Sequence, residues 1–103
     1  MMRKNIFICI LLLLFSISAW TQESVTVTGI VTDQNKEPLI GVNIAIENMP
    51  GLGVITDLNG RYKIKTSTYN KLVFSYIGYE TVNILVKEQR VINVVMKEAS
   101  ATV

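Results

Sequence analysis

Histidine is absent from the 103 residues, and cysteine occurs once, at Cys9. The first absence excludes Ser-His-Asp chemistry, imidazole metal sites and histidine pH switches. The second excludes an intrachain disulfide framework. Long apolar runs are also missing. The longest, Ile6 to Phe15, is too short to cross a bilayer as a helix. Met1-Met2-Arg3-Lys4 precedes it, and Ser16-Ile17-Ser18-Ala19-Trp20-Thr21 follows. A basic start, a short apolar stretch and small residues at its end describe a secretory signal peptide over residues 1–21, cleaved after Thr21 with Ala19 at −3.

Removing that leader changes the charge arithmetic. Arg3 and Lys4 leave with it, and residues 22–103 carry eight basic and eight acidic side chains, a formal net charge of zero. No excess of positive charge remains to favour nucleic acid or an anionic membrane. Cys9 leaves as well. It stands near the start of the apolar run, whereas a lipidated cysteine follows such a run, so the exported chain has no thiol chemistry.

What is present is a β composition. Val, Ile and Thr make up 29 of the 82 residues after Thr21, whereas Ala, the best helix former, occurs there three times. Apolar and polar residues alternate at a spacing of two between Gly, Pro, Asn and Asp. Val25, Val27 and Val31 alternate with Thr26, Thr28 and Thr32. Val42, Ile44 and Ile46 share a face opposite Asn43 and Glu47. Gly53 to Thr56 runs through Asp57-Leu58-Asn59-Gly60 into a strand with Tyr62 and Ile64 on one side and Arg61, Lys63 and Lys65 on the other, a pair that reads as a hairpin. Leu72, Phe74 and Tyr76, then Val82, Ile84 and Val86, then Ile92, Val94 and Met96 complete the set. Seven short strands with no helical window predict an all-β, seven-stranded antiparallel sandwich over residues 22–97. Residues 98–103 lose the pattern and read as the start of a linker.

Each trace of chemistry has a simpler structural account. Asp57 and Asn59 place oxygens at alternate positions, as calcium loops do, but no third oxygen residue or distant bidentate Glu follows, and Asn-Gly suits a tight turn. Glu37, Glu47, Asp57 and Glu80 read as solvated charges rather than an acid/base pair. Arg61, Lys63 and Lys65 read as a solubilising outer face, since no aromatic platform lies between them. Tyr62, Tyr76 and Tyr79 belong to strands or strand ends. Only Tyr69, in the loop Thr66 to Asn70, is free to stack on a ligand. The sequence therefore assigns no catalytic, cofactor-binding or metal residue.

Four blocks in order carry a family resemblance: Gly29-Ile30-Val31-Thr32-Asp33, Glu37-Pro38-Leu39-Ile40-Gly41-Val42-Asn43-Ile44, Gly53-Val54-Ile55-Thr56-Asp57-Leu58-Asn59-Gly60-Arg61-Tyr62, and Leu72-Val73-Phe74-Ser75-Tyr76-Ile77-Gly78-Tyr79-Glu80-Thr81. Together they resemble the carboxypeptidase-D regulatory-like domain found at the N-terminus of SusC/RagA-type TonB-dependent outer-membrane transporters of Bacteroidota. The resemblance implies a transthyretin-like (prealbumin-like/Ig-like) sandwich on the periplasmic face of the outer membrane. It implies no catalytic residue and no cofactor. The implied partners are other parts of the transporter, the TonB system or a SusD-like lipoprotein, with the domain itself monomeric. In such transporters a Glu-Val-Val-Val-rich TonB-contacting segment, a plug and a barrel follow, and Val103 stands where that segment would begin. As scaffold, Gly41 and Gly78 release the backbone at bends, Pro38 stiffens the first turn, and Leu72, Phe74 and Tyr76 supply the largest core faces.

Three readings of function follow from these observations. The chain is the non-catalytic periplasmic domain of a nutrient importer, or a stand-alone exported module binding a protein or carbohydrate, or an enzyme of the transthyretin-like hydrolase type. The missing histidines and peptidase domain weigh against the third. The first is favoured because the tail keeps the family pattern to its last residue.

Overall fold

Period-two patterning dictates what each strand buries. In β1 (Val25–Thr32), Val27, Gly29 and Val31 turn inward while Thr28 and Ile30 turn out. The same alternation runs through β2 (Asn43–Ile46), β3 (Gly53–Ile55), β4 (Arg61–Thr66), β5 (Lys71–Ser75), β6 (Val82–Leu85) and β7 (Val94–Val95). A computed structural model describes residues 24–100; the expected signal peptide at 1–21 lies outside the described residues.

The seven strands form two sheets, ordered β4-β1-β7 and β3-β2-β5-β6. Val27, Val31, Tyr62, Ile64, Val94 and Met96 face Val42, Ile44, Ile46, Leu72, Phe74 and Val86 across the interior. Full burial of an aliphatic or aromatic side chain of this size contributes about 1.5–3 kcal/mol. Tyr62 and Phe74 meet edge to face across the two sheets, centroids 5.5 Å apart and planes at 77°. This confirms the expected prealbumin-like sandwich.

Four details differ from the sequence reading. β3 and β4 do not form a hairpin. β3 pairs with β2, Ala45 opposite Gly53, and β4 pairs with β1, Gly29 opposite Tyr62. The chain crosses between sheets at 56–60, where the Thr56 side chain holds the β2 side and the Gly60 carbonyl accepts the Val31 N–H at 2.8 Å. The hairpin is instead β2–β3, through the Asn48-Met49-Pro50-Gly51 turn.

The pairing is also not wholly antiparallel. β7 runs parallel to β1, Val31 beside Val94, because the connection after β6 passes to the other sheet at the end where β1 begins. Tyr76 is only half-buried, tilted against Tyr79 at 5.5 Å rather than filling the interior. Finally, backbone pairing does not stop at Lys97. Glu80 N–H donates to the Lys97 carbonyl at 2.8 Å and Ala99 N–H to the Gly78 carbonyl at 2.9 Å, so the tail is held two residues past the expected boundary.

Tyr62 carries a test of this packing. Its hydroxyl donates to the Ile92 carbonyl at 2.6 Å, and burial pushes its pKa up to about 12. A phenol whose folded pKa lies above its unfolded value of about 10 contributes stability that is complete below pH 10 and is lost as pH rises toward 12. Tyr62→Phe is expected to cost about 1–2 kcal/mol at neutral pH through the orphaned carbonyl. It should also flatten the fall in stability between pH 10 and 12. Urea melts of both proteins across that range check it, and parallel pH curves would remove the role given to the phenol.

Candidate functional site

Strand direction sorts the connections into two groups. The 33–42, 56–60 and 76–81 connections and the tail from Met96 gather at the end where β1 finishes, here the exit end. The 47–52, 67–70 and 86–93 connections lie at the opposite, entry end.

At the exit end the chain makes the same turn twice. Asp33 Oδ1 accepts the amides of Asn35 at 2.8 Å and Glu37 at 3.0 Å, and Asp57 Oδ1 accepts those of Asn59 and Arg61 at 2.9 Å each. The aspartate carbonyls accept the Lys36 and Gly60 amides at 3.1 and 3.0 Å. Lys36 and Gly60 both take the left-handed conformation, φ 65° and 72°. Lysine is possible only in the first turn, because a β-carbon on Gly60 would lie 2.5 Å from the Val31 carbonyl oxygen. This is the turn chemistry expected at Asp57–Gly60. The amide of Arg61, then that of Asn59, lowers the Asp57 pKa from the ordinary carboxylate value. Stability from this carboxylate is therefore present above the unfolded pKa and lost as pH falls through the folded one.

Thr56 links the two turns. It is buried, and its hydroxyl accepts the Val42 N–H at 2.9 Å and donates to the Leu39 carbonyl at 2.6 Å. The third connection turns at Tyr76-Ile77-Gly78-Tyr79, closed by Tyr79 N–H to the Tyr76 carbonyl at 3.1 Å, with Gly78 at φ 87° as a type II turn requires. Partial burial, with the charges of Glu98 and Asp33 nearby, raises the Tyr79 pKa. The third connection and the tail thus meet at Tyr79, which pairs with Glu98.

The other singled-out residues are dispersed. Arg61, Lys63 and Lys65 project outward opposite Ile30, Thr28 and Thr26. Glu37, Glu47, Asp57 and Glu80 are exposed and separate, and Glu47 lies 3.9 Å from Lys71 across half-exposed side chains, a pair worth little. Tyr69 is 91% exposed at the entry end. Among the described residues no three His, Cys, Asp or Glu side chains are grouped as metal ligands. Sequence reasoning placed turns at both sites but missed that they are the same turn, and it missed Thr56. The repeated spacing Asp33-Gln34-Asn35 and Asp57-Leu58-Asn59 was the available signal for the turns; a threonine at a strand end gives none.

Comparison with known proteins places this geometry. The chain is 34% identical over 103 residues to the TonB-dependent receptor SusC of Bacteroides thetaiotaomicron, covering 95% of this chain and 10% of the receptor. It is 37% identical over 93 residues to the TonB-dependent receptor P39 of Formosa agariphila, covering 85% of this chain and 9% of that one. The chain thus spans about a tenth of the length of these relatives. Among solved structures, 3-chlorocatechol 1,2-dioxygenase from Rhodococcus opacus 1CP superposes with a TM-score of 0.59 at 12% identity, over 80% of this chain and 62% of that one, a likeness of fold alone. The sequence profile of the CarboxypepD_reg-like domain matches residues 27–103, and the chain belongs to that family.

Proposed function

We propose that this chain is the non-catalytic N-terminal domain of a SusC-like TonB-dependent outer-membrane nutrient importer. In this reading residues 1–21 export it, the sandwich from residue 22, with its pairing carried to Ala99, lies on the periplasmic side, and the residues after Ala99 lead toward a TonB-contacting segment, plug and barrel. Its role is to couple or position other parts of the importer, the TonB system or a SusD-like lipoprotein. The observation that carries the reading is the match of nearly the whole chain to about a tenth of two TonB-dependent receptors. The geometry at the exit end agrees with a scaffold role, since one carboxylate oxygen of Asp33 and one of Asp57 each hold a turn.

Reading the gene through the codon for Val103 tests this. The expected result is an open frame continuing into an acidic, valine-rich segment and a long series of alternating strands. A stop codon with no barrel in any frame would instead make the chain a stand-alone exported module. Its partner would then be sought by crosslinking in the periplasm.

A further inference from the structure

Of the seven asparagines after residue 21, only Asn59 precedes a glycine; the others precede Ile, Met, Lys or Val. Asparagine is thermolabile because the main-chain nitrogen of the next residue can attack its side-chain carbonyl carbon, and a side chain on that next residue crowds the approach. The fold cannot exchange this glycine. Gly60 is buried at φ 72°, and a β-carbon on it would lie 2.5 Å from the Val31 carbonyl oxygen and 3.2 Å from the Leu39 nitrogen. The twin turns make an internal comparison: the equivalent pair in the first is Asn35-Lys36, with the same hydrogen bonds around it and with Lys36 exposed. The labile pair therefore stands where the crossing between sheets demands glycine.

In the closed turn the pair is held on both sides. Gly60 N–H donates to the Asp57 carbonyl at 3.0 Å, and the Gly60 carbonyl accepts the Val31 N–H at 2.8 Å. Asp57 Oδ1 accepts the amides of Asn59 and Arg61 at 2.9 Å each. For the Gly60 nitrogen to give up its proton and turn onto the exposed Asn59 side chain, its bond to Asp57 has to break first. We propose that Asn59 is a modification site, deamidated through the Gly60 nitrogen, and that the 57–61 turn is the lock that sets the rate. The Gly60 nitrogen bonds to Asn59 Cγ, the Cγ–Nδ2 bond breaks, and the side-chain nitrogen leaves as ammonia with the proton from Gly60. Water then opens the cyclic imide. Cleavage between Cγ and the Gly60 nitrogen leaves aspartate on the original backbone, whereas cleavage at the Asn59 main-chain carbonyl leaves isoaspartate, with the chain running through the former side chain. The aspartate form closes the turn again, because what Asn59 contributes to it is a backbone N–H. The isoaspartate form carries an extra methylene between the two amides that share Asp57 Oδ1, and the turn stays open. One local opening is thereby made irreversible.

Peptide mapping by mass spectrometry tests it on the chain incubated in mildly alkaline heavy-oxygen water, with and without concentrated urea. The expected result in urea is conversion of Asn59 ahead of Asn35 and every other asparagine. Without urea, conversion of Asn59 should be at least tenfold slower, and the isoaspartate form should exchange its Val31 and Arg61 amide hydrogens faster than the parent. Equal rates with and without urea overturn the lock. Asn35 keeping pace with Asn59 in urea overturns the part given to glycine, and no conversion of Asn59 overturns the site. Asp57→Ala and Asp33→Ala separate the turn from the whole domain, since each removes two amide bonds from one of the twin turns. At a temperature where circular dichroism shows both variants folded, Asp57→Ala should speed the conversion of Asn59 and Asp33→Ala should leave it at the parent rate. Equal acceleration by both assigns the conversion to opening of the whole domain and overturns the local lock.

Discussion

Gly29→Ala is expected to abolish cooperative folding. Gly29 faces the interior from the middle of β1, between buried Val27 and Val31 and opposite Tyr62 in β4. The space a side chain would take is already filled. A β-carbon there would lie 1.9 Å from the Ile92 carbonyl oxygen, 2.7 Å from its carbon and 2.8 Å from Tyr62 Cε1. The ring could swing aside, but the carbonyl belongs to a backbone fixed by Ile92 N–H to the Thr28 carbonyl at 2.9 Å and Thr28 N–H to the Arg90 carbonyl at 3.0 Å. Moving it also breaks the Tyr62 hydroxyl bond and disturbs the Tyr62–Phe74 contact. Overpacking usually costs about 1–3 kcal/mol when side chains can adjust. With backbone as the obstacle the cost should exceed about 4 kcal/mol, comparable to the whole stability of about 4–12 kcal/mol that a domain of this size has. Adding Tyr62→Phe should not rescue the variant, since the carbonyl remains in the way. Circular dichroism melts decide it: a transition within a few degrees of the parent would show that residues 90–93 can lift away.

The same residue shows what the sequence made legible. Alternation placed Val27 and Val31 inside β1, and the burial of Ile44, Leu72, Phe74, Val86 and Met96 follows the same rule, since side-chain period is a local property. Gly41 and Gly78 were readable as bends and do take positive φ, 81° and 87°. Gly29 fits neither pattern. A glycine inside an alternating strand signals a close approach of other groups, but which groups depends on a segment sixty residues away. The β3–β4 error has a related origin. Asp57 and Arg61 do pair locally, Asp57 N–H to the Arg61 carbonyl at 2.9 Å, as in a hairpin. Which sheet each strand then joins is settled by Val31 and Val42, neither of which lies in the local window. The Thr56 link was hidden likewise, because its partners Leu39 and Val42 lie in another connection.

Thr56→Val is expected to lower stability by about 2–4 kcal/mol although the two side chains have nearly the same shape. Thr56 is 3% exposed, and its hydroxyl is both acceptor for Val42 N–H and donor to the Leu39 carbonyl. Valine fills the space and offers neither bond. The Val42 amide, in a fully buried residue, is then left with no partner, and each unmet buried group costs about 1–3 kcal/mol. Leu39 is half-buried, so water can recover part of the loss at its carbonyl, which keeps the sum below twice the upper figure. Thr56→Ser keeps the hydroxyl and gives up one methyl, about 1 kcal/mol or less. Urea titrations should therefore show a large drop in midpoint for valine and a small one for serine, at unchanged slope. The two backbone bonds beside the hydroxyl, Gly41 N–H to the Thr56 carbonyl and Thr56 N–H to the Val42 carbonyl, remain in both variants at about 3.1 Å in the parent geometry. The local signature of the valine variant is thus faster hydrogen exchange at Val42 than the global loss accounts for. A valine variant as stable as serine would mean that those backbone bonds alone hold residues 39–42 against the 56–60 crossing.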